Sequence, residues 1–223
     1  MSFLKSYPGQ EELLNSFKEE QAGFPLKVKN HIHTPYSFSA FSSIEEAVKM
    51  AAEEEVRILG INDFYVCDGY PEFIEMCRKH RVFPLLNIEL IGISSADQEA
   101  GIRVNDPNNP GRTYISGKGL AHPSVLPAER QKKLDCVVAE SNRQVAKMID
   151  LLNSWLEKQE CGLSLSVEEI MEKDAMHLLR ERHVAKAMRM KLQESARSDE
   201  DFAGLIEKVY GGKASEKLRT DIA

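Results

Sequence analysis

The sequence predicts an α/β fold followed by a mostly helical carboxyl-terminal region, and three observations carry that expectation. Up to about residue 92, short strand-like runs alternate with amphipathic helical segments, the order that yields parallel strands joined by right-handed crossovers. LKVKNHIH alternates apolar and polar side chains with period two, while VRILGIN and RVFPLLNIEL are compact apolar runs of strand length. From about Glu129 onward the spacing turns helical: Leu134, Val138, Ser141, Val145, Met148, Leu152 and Trp155 follow in steps of four and three.

Leu13, Leu14 and Phe17 among polar neighbours predict a short amphipathic helix over 10–21, packed as a lid or collar. The first strand starts after Pro25 and runs into the Ser-rich turn TPYSFSAFSS. Ser43 with Glu46 is a capping box, and Ile44, Ala47, Val48, Ala51 and Ala52 continue it as a helix over about 43–55. VRILGIN is the second strand, DFYVCDGY a loop, PEFIEMCRKH a helix opened by proline, and RVFPLLNIEL the third strand. Beyond Gly92, IRVN and RTYIS flank NDPNNPG, which reads as a β-hairpin. Cys161-Gly162 ends the long helix and Ser166 with Glu169 is a second capping box. MHLLRERHVAKAMRMKLQE and EDFAGLIEKVYGG are two further helices, the last stopped at Gly211-Gly212. In that reading Arg180–His183 falls mid-helix as a solvated face or a salt-bridge seam. The expected division is an α/β region over 1–125 and a helical region over 126–223.

Composition narrows the function. With 42% hydrophobic and 29% charged residues the chain sits in the folded globular range. Its net charge is -6, and the 29 basic residues are scattered among 35 acidic ones, which disfavours nucleic acid as a partner. No stretch approaches the ~18 apolar residues of a membrane span, and the start has no apolar core of signal-peptide length, so the expected location is the cytoplasm with no membrane partner. Cys67, Cys77, Cys136 and Cys161 lack CxxC spacing and lie among apolar neighbours, as reduced, mostly buried thiols do.

The chemistry concentrates at the carboxyl ends of the first three strands, where parallel α/β architectures build their sites. His31 and His33 lie two residues apart on an extended segment, so both imidazoles turn to one side, as a metal pair requires. A pair of half-buried structural imidazoles is the other reading of that spacing. Asp63 follows ILGIN and Glu89 follows PLLNI. A turn or cap residue and a lone solvated charge are their plain alternatives, but metal-capable groups ending three successive strands converge on one place. His122 is a further donor candidate, although a turn imidazole beside Pro123 is the preferred reading. Arg112 and Lys118 flank GRTYISGKG as candidate substrate-binding groups for a phosphate dianion. Gly119 after Lys118 excludes a Walker loop, and surface hairpin charges are the alternative.

HIHTPYS, GIND and NIEL resemble the first three motifs of the PHP family, the polymerase and histidinol phosphatase domain, over about residues 27–92. NDPNNPGRTYISGKGLAHP is similar to a segment that one bacterial subgroup carries after its third motif. The resemblance implies a distorted (βα)7 TIM-like barrel around one to three divalent ions, Zn, Mn or Fe. It implies a histidinol-phosphatase-like phosphoesterase acting on a small phosphorylated substrate, with His31, His33 and Glu89 as metal ligands. Asp63 matches the motif aspartate, as a ligand, an orienting group or a water-directing base. Where the family has a motif histidine this chain has Phe64, and Phe38 and Phe41 also depart from the first motif. Later family motifs have no evident match beyond His122, and three βα units cannot close a seven-strand barrel. The favoured expectation is therefore the amino-terminal part of a longer protein, with a reduced relative as the alternative. A non-catalytic PHP-like scaffold is the competing function, and a homo-oligomer through the helical seam a third reading.

Overall fold

The computed structural model describes residues 26–123 and 125–210, with positions 5, 9, 11 and 12. The helix expected over 10–21 and the Gly211-Gly212 stop fall almost wholly outside them. The chain divides into two compact units, Met1–Asp135 and Cys136–Ala223.

In the first unit the alternation of strand and helix is realised as β1 (Lys27–Ile32), α1 (Ile44–Glu53), β2 (Val56–Phe64), α2 (Tyr70–Lys79), β3 (Phe83–Ile93), α3 (Ser95–Glu99) and β4 (Arg112–Gly117). The strands lie in the order β1-β2-β3-β4, the first three parallel and β4 antiparallel to β3. Ser43 caps α1 by accepting from the Glu46 amide, while the Glu46 carboxylate accepts from the amide and hydroxyl of Ser42. Pro71 opens α2, where its missing N–H costs nothing. One face of the sheet is apolar: Leu59, Ile61 and Leu86 pack with Ile44, Val48 and Ala51 of α1 and with Tyr70, Phe73 and Cys77 of α2. That packing fixes the sheet and leaves the opposite face free for polar side chains.

The structure corrects the expected hairpin. IRVN forms no strand; β4 pairs instead with β3, from Ile88 opposite Gly117 to Ile93 opposite Arg112. Asn105 explains the misreading, because its side-chain amide accepts from the Tyr114 N–H at 2.9 Å and donates to the Tyr114 carbonyl at 2.8 Å. One side chain thus takes the hydrogen bonds that a neighbouring strand residue would take. The Asp106 carboxylate accepts from the amides of Asn108 and Asn109 and closes the turn.

The second unit holds most of α4 (Ala128–Lys158), then α5 (Val167–Lys173), α6 (Glu181–Ser195) and α7 (Asp199–Val209). Its core joins Val145, Ile149 and Leu156 to Ile170, Val184, Met188, Leu192 and Ile206. The seam on α4 is therefore one residue out of phase with the expected one at two points: Met148 and Trp155 are exposed, and Ile149 and Leu156 take their places. Arg180–His183 is not mid-helix. Arg180 is the N-cap of α6 and donates its N–H to His183 Nδ1 at 3.1 Å, so both residues are buried and burial pushes the His183 imidazole down to about 4. All four cysteines are free thiols, Cys77 and Cys161 buried and Cys136 exposed. No helix among the described residues is long and apolar enough to cross a membrane.

Truncating Ile149 to Ala should cost about 2–5 kcal/mol of stability, while Met148→Ala should stay within about 0.5 kcal/mol. Urea unfolding of the two variants checks this, and equal losses would contradict the buried seam.

Candidate metal centre

β1 delivers its two histidines through an irregularity in the ladder. Lys29 pairs with Leu59 and Ile32 with Ile61, so β1 takes three steps where β2 takes two. Such a bulge re-aims side chains, and here Asn30 and His31, adjacent in sequence, both reach the polar face of the sheet. Asn30 Oδ1 accepts from Asn87 Nδ2 at 3.0 Å, and His31 Nε2 lies 3.1 Å from Asn62 Nδ2. Asn62 and Asn87 are direct partners across β2 and β3. Gly60 permits the crossing, because a Cβ there would collide with Asn30 Oδ1 and Asn87 Nδ2.

On this face His31 Nε2 and His33 Nε2 are 3.3 Å apart, and Glu89 Oε2 is 3.0 Å from the first and 3.4 Å from the second. These ligand atoms form the one such group among the described residues. A tetrahedral ion with bonds of about 2.0–2.2 Å places its ligand atoms roughly 3.3–3.6 Å apart. The observed separations lie at or just under that edge length, and two imidazoles with a carboxylate are a usual donor set for a catalytic divalent ion. The residues present therefore fit the group. Glu89 is buried and His31 half exposed, so solvent reaches one side of it.

Neighbouring polar groups hold the ligands. Asn62 Nδ2 donates to Glu89 Oε2 at 2.8 Å and lies 3.2 Å from Ser116 Oγ. Phe64 stacks on the His33 ring at 4.8 Å with planes 7° apart. Asp63 points to the opposite side of β2 from Asn62. Its carboxylate accepts from Thr34 N at 2.7 Å, Thr34 Oγ1 at 2.6 Å and Ser37 Oγ at 2.6 Å, so both oxygens are engaged by the turn that follows His33. Burial pushes the Asp63 carboxyl up to about 6, against the pull of the Ser37 and Thr34 hydrogen bonds.

The structure thus brings His31, His33 and Glu89 together and places Asp63 behind them. Lys118 reaches the same cluster: its Nζ donates to the Asn30 carbonyl at 3.0 Å and to Asn62 Oδ1 at 3.1 Å. Arg112 does not. It lies four residues along β4 from Ser116, roughly 14 Å at strand rise, with its guanidinium over the Tyr114 ring at 5.3 Å and 3.5 Å from Asp106. His122 stands edge-on to Tyr70 with ring centroids 6.3 Å apart, outside the three-residue group.

The PHP domain model matches residues 29–187, well over half of the sequence. The chain belongs to the PHP domain family. Among solved structures, this PHP chain is similar to a Bifidobacterium adolescentis protein to which metal-dependent phosphoesterase activity has been attributed. That match has a TM-score of 0.56 and 15% identity, and it covers 86% of this chain and 58% of the other. It is also similar to an amidohydrolase from Chromobacterium violaceum solved with bound sulfate and no metal, with a TM-score of 0.50 and 16% identity, covering 81% and 54%. The likeness shows a shared fold, and the chain spans little more than half the length of either structure. No curated protein sequence is significantly similar to it.

Sequence reasoning missed Asn30, Asn62, Asn87, Thr34 and Ser37. The available signal was an asparagine inside each of three strand-like runs, since a buried amide demands partners. Asp63 gives a pH test. Its folded-state value lies above the ordinary 3.8, so the folded chain holds this proton more tightly than the unfolded one. The contribution is fully present below about pH 4 and is lost as the pH rises through about 6. Asp63→Asn should flatten the stability profile across that window by up to about 3 kcal/mol, read from urea midpoints; profiles that stay parallel would contradict the assignment.

Proposed function

We propose that this PHP-domain chain carries the metal centre of a metal-dependent phosphoesterase, with His31, His33 and Glu89 binding a divalent ion, Zn, Mn or Fe. The observation that carries the reading is the meeting of two imidazole nitrogens and one carboxylate oxygen at or just under tetrahedral edge lengths. In this reading the four-stranded sheet is part of a distorted (βα)7 barrel and the substrate is a small phosphate ester.

When bound, a divalent ion supplies Lewis acidity toward a phosphoryl oxygen and toward water. The chain's own residues do the rest. Asn62 holds the Glu89 carboxylate by its side-chain N–H, and Phe64 stacked on His33 limits rotation of that imidazole. Asp63 acts as a positioning residue, because its bonds to Thr34 and Ser37 set the turn from which His33 emerges. Lys118, hydrogen-bonded to the Asn62 amide that also holds Glu89, is the group suited to meet a phosphate oxygen. Arg112, tied to Asp106 and Tyr114 further along the face, would meet only the distal part of a longer substrate.

Phe64 in place of a donor favours a second reading, a scaffold that has lost catalysis. Elemental analysis and p-nitrophenyl phosphate hydrolysis on the parent and on a His31→Ala, His33→Ala variant separate the two. The proposal expects stoichiometric metal in the parent alone, and a loss of hydrolysis beyond the ~10–100-fold typical of removing an outer partner. Metal lost with hydrolysis unchanged would sink the mechanism. A parent that takes up no metal from added Mn or Zn would leave the scaffold.

A further inference from the structure

Resting on the metal-site reading above, we infer that the described residues of this chain hold a single divalent ion and that the Lys118 ammonium supplies the second positive charge that a phosphate ester meets beside it.

The first argument is the supply of donors. The described residues gather three metal-capable ligand atoms and no more within one group. The nearby groups able to hold another ion are committed elsewhere. Both Asp63 oxygens accept from Thr34 and Ser37, and Phe64 has no donor atom to offer. Two oxygens do face the adjoining space, the Asn30 carbonyl and Asn62 Oδ1, and both already accept from Lys118 Nζ, at 3.0 and 3.1 Å. The ammonium occupies the position where a cation would collect those oxygens.

The second argument is charge. Glu89 is the one carboxylate in the ligand group, and two neutral imidazoles complete it. One divalent ion already outweighs that single negative charge, and Lys118 lies one amide group away, on the far side of Asn62. A second divalent ion would add two more positive charges with no further carboxylate to offset them, in a partly dry site where such repulsion is poorly screened.

The third argument is the geometry of the ammonium. It carries three N–H donors, two of which are used on Asn30 and Asn62. The remaining one is fixed in place by those bonds and suits an anionic oxygen, so Lys118 meets the phosphoryl group as an oriented point charge.

Calorimetric titration with Mn²⁺ tests this on the parent chain and on Lys118→Met and Lys118→Gln, two neutral replacements with folding checked by circular dichroism. Inorganic phosphate is then titrated into each Mn-loaded protein. The parent should bind one Mn²⁺. Both variants should bind it at least threefold more tightly, because a neighbouring like charge is gone, and should bind phosphate at least tenfold more weakly. Two or more ions in the parent would overturn this inference and leave the metal site intact. Variants that bind Mn²⁺ no more tightly, or phosphate no less tightly, would overturn it as well. No Mn²⁺ in the parent would overturn both this inference and the metal-site reading beneath it.

Discussion

Three hydrogen bonds onto one buried carboxylate, from Thr34 N, Thr34 Oγ1 and Ser37 Oγ to Asp63, determine where β1 ends and where His33 emerges. β1 needs that support. It borders the sheet, its side chains are largely exposed, and its register against β2 slips twice. Its own ladder would place the two imidazoles loosely. Hydrogen bonds to a charged group contribute about 1.5–3 kcal/mol each and offset part of the cost of burying the carboxylate, and the raised Asp63 pKa is the trace of the part they leave. The turn is thereby tied to the central strand, where the packing against the helices is densest.

The sheet then separates two tasks by face. Leu59, Ile61 and Leu86 meet the helices and supply the apolar burial that holds the strands. Asn62, Asn87 and Glu89 occupy the other face, where a parallel sheet would ordinarily be hydrophobic too. A polar interior is tolerable only when each group is satisfied. Here Asn87 donates to Asn30 and accepts from the Gly119 amide, while Asn62 joins Glu89 to Lys118. The ligand group is therefore preorganised by its neighbours, the condition for a site whose geometry matches an ion without rearrangement.

Much of this was legible from residue order. Strand-helix alternation located β1, β2 and β3, Ser43 and Ser166 located the starts of α1 and α5, and the HxH spacing with Glu89 picked out three residues that the structure brings together. What escaped shares a physical cause. Asn105 completes the outer edge of β4 from a side chain, so IRVN looked like a strand that it does not form. The seam of α4 passes through Ile149 and Leu156 rather than Met148 and Trp155, because a helix of that length offers two apolar phases one residue apart and only its packing partners select one. Arg180 and His183 cap a helix from buried positions, which charge alternation alone cannot reveal. The clustering of Lys118, Asn30 and Asn62 depends on the bulge in β1 and the antiparallel return of β4, neither of which has a periodic signature.

The central claim is that His31, His33 and Glu89 form one metal-binding unit on the polar face of the sheet. X-ray absorption spectroscopy of the zinc-loaded chain tests it most directly, since it reports the atoms bound to the ion. The account predicts two imidazoles and light oxygen scatterers around a single zinc. Sulfur in the coordination shell, or a shell without imidazole, would place the ion elsewhere and contradict it.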